Sequence, residues 1–218
     1  MFRILAAAVL AISMTLPANG QNRDHSLIAA AGAGDLAGVE RLIREGASVA
    51  ARDNRGRTAL LAATHGNHVA AARALIAAGA DVNARDDIQD SPFLYAGAEG
   101  RIEILKMTLA AGADLKSTNR YGGTALIPAA HHGHTEAVRI LLGTAIEKDH
   151  VNRLGWTALL EAVILGDGGR VHTEIVRLLV EAGANVNTGD KDGVTPLAHA
   201  RRRGFAGMVR ILEARGAR

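Results

Sequence analysis

The sequence predicts an all-α solenoid of about six stacked helix–turn–helix repeats, and three observations carry that prediction. First, a hydroxyl residue followed by a short apolar run recurs at Thr58 (TALLAA), Ser91 (SPFLYA), Thr124 (TALIPAA), Thr157 (TALLEA) and Thr195 (TPLAHA), at intervals of 33, 33, 33 and 38 residues. Second, a glycine stands 21 residues past the anchor at Gly46 (counted from His25), Gly79 and Gly112, and is displaced by five at Gly183. Third, the 218 residues are 48% hydrophobic but only 3% aromatic, with 25 Gly. So much small apolar side chain suits a thin core of closely touching layers.

Composition also excludes classes. The apolar content is too high for intrinsic disorder. With no Cys, the chain has no disulfide scaffold, iron–sulfur cluster, cysteine-ligated zinc site or thiol nucleophile. The formal charge of +3 and isoelectric point near 9.7 favour nucleic acid only if the basic residues are clustered and unneutralised.

Taken in order, residues 1–20 (MFRILAAAVLAISMTLPANG) read as a cleavable signal peptide: Arg3, an uncharged run from Ile4 to Leu16, then Pro17 and small residues before a cut near Gln21. The run is shorter than the roughly 20 residues that span a bilayer. The expected product is therefore exported without stable membrane insertion, periplasmic or secreted in a bacterium. Residues 21–218 form the repeat domain, with copies starting near 22, 53, 86, 119, 152 and 190. In each copy the anchor caps a first helix. A second helix carries an apolar pair such as Leu42/Ile43, Leu75/Ile76, Leu141/Leu142 or Leu179/Val180. The closing glycine then ends that helix in a left-handed conformation.

This unit, recurring across residues 22–218, resembles the ankyrin repeat. Departures are legible too. The His usual three residues after the anchor is replaced by Leu61, Leu94, Ile127, Leu160 and Ala198. Repeat four has Gly143-Thr144-Ala145-Ile146 in place of the closing glycine, which predicts an irregular exit. Repeat five carries five extra residues within 166–172, read as an inserted loop. In the last repeat Arg201 and Glu213 occupy stacking positions, which marks a C-terminal cap and a monomeric stack complete at six.

Several residue groups compete as sites. The column Arg73, Lys106, Arg139, Arg177 and Arg210 looks like a phosphate stripe, yet Glu103, Glu136 and Glu174 stand three residues before three of them, which predicts intrahelical pairing and no nucleic-acid partner. The resemblance implies that His68 and His134 tie the inter-helix turn to neighbouring backbone. His65, His131 and His132 fall on first-helix ends facing the groove, with Glu99 the one nearby carboxylate. They favour partner contact over metal ligation, and no metal ligand or cofactor is assigned; a His-dependent metal or haem binder is the competing reading. No nucleophile elbow, HExxH, GxxxxGK or GxGxxG occurs, so no enzyme activity is expected.

By the resemblance, partners are held by hairpin tips and first-helix ends. Mapped onto this chain, those positions give Tyr121, Leu154, Trp156, Ile164, Leu165, His131, His132, Glu99, Arg120, Arg153 and Arg202 as the protein-binding set. The expected function is a protein–protein interaction module of the envelope, centred on repeats four and five. The resemblance to small exported bacterial ankyrin proteins adds stress protection or effector neutralisation as expected roles.

Overall fold

The computed structural model describes residues 18–218, and the expected leader lies outside it except for residues 18–20. Among the described residues there are twelve helices and no strand. They pair as α1 (Ala18–Ala33) with α2 (Leu36–Arg44), α3 (Ala59–His65) with α4 (Val69–Ala77), and α5 (Pro92–Ala98) with α6 (Ile102–Ala110). The other pairs are α7 (Leu126–His131) with α8 (Thr135–Leu142), α9 (Ala158–Ile164) with α10 (Arg170–Glu181), and α11 (Pro196–Arg202) with α12 (Ala206–Glu213). First helices stack on first helices and second on second, so each pair touches only its neighbours. No described helix is long and apolar enough to cross a membrane.

Helix entry follows the anchors at four of five positions. The hydroxyls of Thr58, Ser91, Thr157 and Thr195 accept hydrogen bonds from the backbone N–H three residues on, at 3.2, 3.2, 3.2 and 3.3 Å. Thr124 departs: its buried Oγ1 has no partner, and α7 starts two residues later from a helical Ala125. At the weak anchor position His25 no helix begins: α1 runs through it, and the ring Nδ1 donates within the helix to Gln21 O at 2.8 Å. Thr58→Ala is therefore expected to cost about 1 kcal/mol. Thr124→Val should cost less, since it removes a hydroxyl already unpaired in the core. Urea denaturation of both variants checks the ordering, and equal losses would contradict it.

The closing glycines Gly46, Gly79, Gly112 and Gly183 take φ between 85 and 88°, and the following residue's N–H reaches back five residues, as in Ala80 N to Leu75 O at 3.0 Å. Repeat four is irregular, as its sequence predicts. There the Thr144 hydroxyl donates to Leu141 O at 2.6 Å and accepts from Ile146 N at 3.2 Å, replacing the glycine exit.

A second recurring device stands five residues before each anchor, at Asp53, Asp86, Asn119, Asn152 and Asp190. Each side chain accepts from the backbone N–H groups two and four residues on, closing the hairpin tip. Adjacent tips are then linked by backbone bonds, Asp87 N to Arg55 O at 3.1 Å and Arg153 N to Tyr121 O at 2.9 Å. The capping carboxylate or amide thus sets the edge of the concave face.

The five-residue insertion corrects the reading of a plain loop. Arg170, Val171 and His172 lengthen α10 to 12 residues, and Gly166–Gly169 makes the short link before it. The extension carries His172 into the inter-helix register: its Nε2 bonds His131 O at 2.9 Å, as His68 Nε2 bonds Gly32 O at 3.0 Å. Repeat six clamps the link. The Arg203 guanidinium donates to the carbonyls of Ile164 and Gly166, and the Phe205 ring lies against Gly168. Arg201 and Glu213 pair with one another at 2.6 Å on the exposed end, as a cap requires.

Candidate functional site

Hairpin tips and first-helix ends of repeats two to five enclose a cleft of about 540 Å³. Its rim is apolar: Ile88, Tyr121, Leu154 and Leu165 are 50, 54, 47 and 42% exposed. Each projects from a tip or a helix end, where the solenoid offers no further layer to cover it. Its floor is polar, formed by Asp90, Asn119, His65, His131, Asn152 and Glu161.

Glu161 lies at the centre of the floor. The α9 face that it occupies packs on α7, which buries the carboxylate and pushes its pKa up. Asn152 Nδ2 donates to Glu161 Oε1 at 2.9 Å, which partly offsets that burial. His131 Nδ1 is 3.6 Å from the other oxygen, beyond hydrogen-bond reach, and burial pushes His131 towards its neutral form. In repeat six the same two positions are exchanged in polarity: Asp190 accepts from His199 Nε2 at 2.7 Å, which holds the Asp190 carboxyl below its ordinary range. A donor at the tip thus accompanies an acceptor on the helix, and the reverse.

On the opposite wall the His65 and Tyr95 rings stack with centroids 4.0 Å apart, and the buried His65 Nε2 has no partner. Burial lowers the His65 pKa and raises that of Tyr95. The Asp90 pKa is raised by burial and by Asp86, despite Arg120 at 3.8 Å. Arg120 also lies over the Tyr121 ring, 4.9 Å from its centroid.

Of the residues chosen from the sequence, Tyr121, Leu154, Leu165, His131, His132, Glu99 and Arg120 line this cleft. Four do not. Trp156 is half-buried outside it, its backbone held by Asn152 at both N–H and C=O. Ile164 is half-buried, and its carbonyl is taken by Arg203. Arg153 runs along the tips, donating to Arg120 O at 2.8 Å, and Arg202 is exposed on the last repeat. Sequence reasoning missed Glu161, Asn152 and Tyr95. Glu161 was legible as an acidic residue in a column that elsewhere holds Ala62, Tyr95, Pro128 and His199.

His134 also departs from its expected role. The Ala98 carbonyl that it would bond is taken by His132 Nδ1 at 2.8 Å. The basic column of second helices is neutralised as predicted where glutamates exist: Lys106–Glu103 at 3.2 Å, Arg139–Glu136 at 3.7 Å and Arg177–Glu174 at 3.3 Å. Arg139 additionally meets Glu174 of the next repeat at 3.8 Å.

A family profile described as ankyrin repeats (three copies) matches residues 9–86, 26–119 and 93–190. The chain belongs to the ankyrin repeat family. An ankyrin repeat domain from Acinetobacter baumannii AYE is 56% identical, with a TM-score of 0.86 over 88% of this chain and 98% of that one. The ankyrin repeat domain of Bcl-3, a member of the IkappaB protein family, is 29% identical, with a TM-score of 0.79 over 88% of this chain and 86% of its own. The ankyrin repeat protein YahD of Escherichia coli K12 is 49% identical over 57 residues, which span 28% of its length. Ankyrin repeats are in general non-catalytic scaffolds for protein–protein interaction, and this ankyrin chain has the all-helical stack of that scaffold.

Proposed function

We propose that this ankyrin protein is exported to the bacterial envelope and holds a protein partner in the cleft of repeats two to five. One observation carries the assignment of the site. Among the described residues six large hydrophobic side chains are exposed, and four of them, Ile88, Tyr121, Leu154 and Leu165, rim this one cleft. Exposed apolar and aromatic side chains gathered at one concave place mark a protein-binding surface, and aromatic residues are enriched among those that dominate binding energy. Beneath the rim, Glu161 is held in place by the Asn152 amide at 2.9 Å, so the floor is set before a partner arrives. Export is supported by the leader pattern at residues 1–20.

The test combines capture and localisation. Periplasmic extract is passed over the immobilised protein, the recovered partner is purified, and its affinity is measured for wild type and for Tyr121→Ala plus Leu154→Ala. The double variant is expected to lose roughly tenfold or more in affinity, with an unchanged circular dichroism spectrum. Arg73→Ala, on a second helix far from the cleft, should bind as wild type. Equal affinity of wild type and the double variant would refute the site, and retention of the chain in the cytoplasm at full length would refute export.

A further inference from the structure

We propose that Glu99, His132 and His134 form a zinc-binding site at the junction of repeats three and four. One ligand atom from each of these side chains lies within 4.8 Å of the others. They come from different elements: Glu99 closes α5, while His132 closes α7 and His134 precedes α8. Two imidazoles and one carboxylate form a recurring three-ligand set for zinc, with the fourth position left to water or an incoming ligand.

The hydrogen bonding prepares these side chains for a metal. The Ala98 carbonyl can only accept, so the 2.8 Å bond from His132 Nδ1 places the proton on that nitrogen, which also stands 3.7 Å from Glu99 Oε1, and leaves Nε2 to carry the lone pair a metal would take. A histidine whose second nitrogen is held by a backbone carbonyl is the usual outer-shell arrangement around zinc. Because His132 occupies that carbonyl, His134 is released from the tie made by His68 and His172 in the same register, and it makes no capping bond. The two rings meet edge to face, with centroids 6.0 Å apart. Atoms sharing one zinc at about 2.0–2.1 Å stand roughly 3.3 Å apart, so the side chains need to close by no more than about 1.5 Å. Glu99 and His132 can do this, since their side chains are 37 and 39% exposed. His131 takes no part; it turns to Glu161.

The untagged protein, stripped with chelator, is titrated with zinc against a competing chromophoric chelator. One zinc per chain is expected, with a raised melting temperature on binding. Glu99→Gln, His132→Ala and His134→Asn should each weaken zinc by roughly tenfold or more, while His131→Ala leaves it unchanged. Circular dichroism of each variant without zinc separates lost ligation from lost folding, and Glu99→Gln alters no contact of the core. Absence of stoichiometric zinc, or a loss confined to His131→Ala, would overturn the proposal. Glu99 and His132 also line the cleft, so zinc affinity is measured without a partner, and its failure leaves the capture test of the cleft standing.

Discussion

Phe93→Ala is expected to lower stability by about 3–5 kcal/mol, the range for removing a fully buried aromatic ring. Phe93 is completely buried in α5, where the equivalent positions hold Leu27, Leu60, Leu126, Leu159 and Leu197. Four residues on, the same face carries Gly97, where the other helices have Ala31, Thr64, Ala130, Val163 and, in the cap, Arg201. Gly97 lets the start of α7 approach until an added Cβ would meet that of Ala125 at 2.8 Å, so the layers beside Phe93 are already in close contact. Truncating Phe93 therefore opens a cavity in the middle of the stack that neighbouring repeats cannot fill. In a solenoid stability is a sum of repeat terms and nearest-neighbour interfaces, so a central cavity also uncouples the two ends. Urea denaturation should show a lower midpoint and a shallower or two-step transition. A loss below about 1 kcal/mol would mean that the layers close over the cavity.

Asn152→Asp is expected to cost about 1–3 kcal/mol at neutral pH and much less in acid. Aspartate serves the hairpin tip equally well, as Asp53, Asp86 and Asp190 show by accepting the same two backbone N–H bonds. What it cannot do is donate to the Glu161 oxygen that Asn152 bonds at 2.9 Å. The change sets a second carboxylate beside one whose pKa burial already raises, so the folded state of the variant binds a proton more tightly than the unfolded chain. The sign follows from linkage: stability is retained below the ordinary carboxyl value of 4.5 and falls as pH rises above it. The gap between variant and wild type should widen from acid to neutral pH in thermal melts. A pH-independent gap would assign the cost to the tip and not to Glu161. Glu161→Gln in the same background should restore most of the loss, because the amide offers a donor and no charge.

How much was legible in the sequence depends on the range of the interaction. The repeat, four helix caps, the left-handed exits and the paired glutamates on second helices are contacts within about one repeat, so residue type and spacing determine them. The irregular exit of repeat four was equally local, because Ala145 cannot take the left-handed conformation as cheaply as glycine. Even locally there were limits: His25 keeps the apolar spacing of an anchor but lacks a capping oxygen, so the helix runs through it.

The site was legible only in part. Position in the repeat placed Tyr121, Leu154, Leu165, His131, His132, Glu99 and Arg120 on the cleft. It could not separate them from Trp156, held through its backbone by Asn152 of its own tip, from Ile164 and Arg153, engaged by Arg203 and by the Arg120 carbonyl, or from Arg202, exposed on the last repeat. Which carbonyl each histidine reaches was decided between repeats as well: His132 displaced His134 at Ala98, and the inserted residues delivered His172 to His131. The sequence by itself determined the stack, because its period is written in local turns and caps. Only the tertiary structure decided which side chains share the cleft, since that depends on how closely successive layers pack, and Phe93, Gly97 and Glu161 act there across repeats.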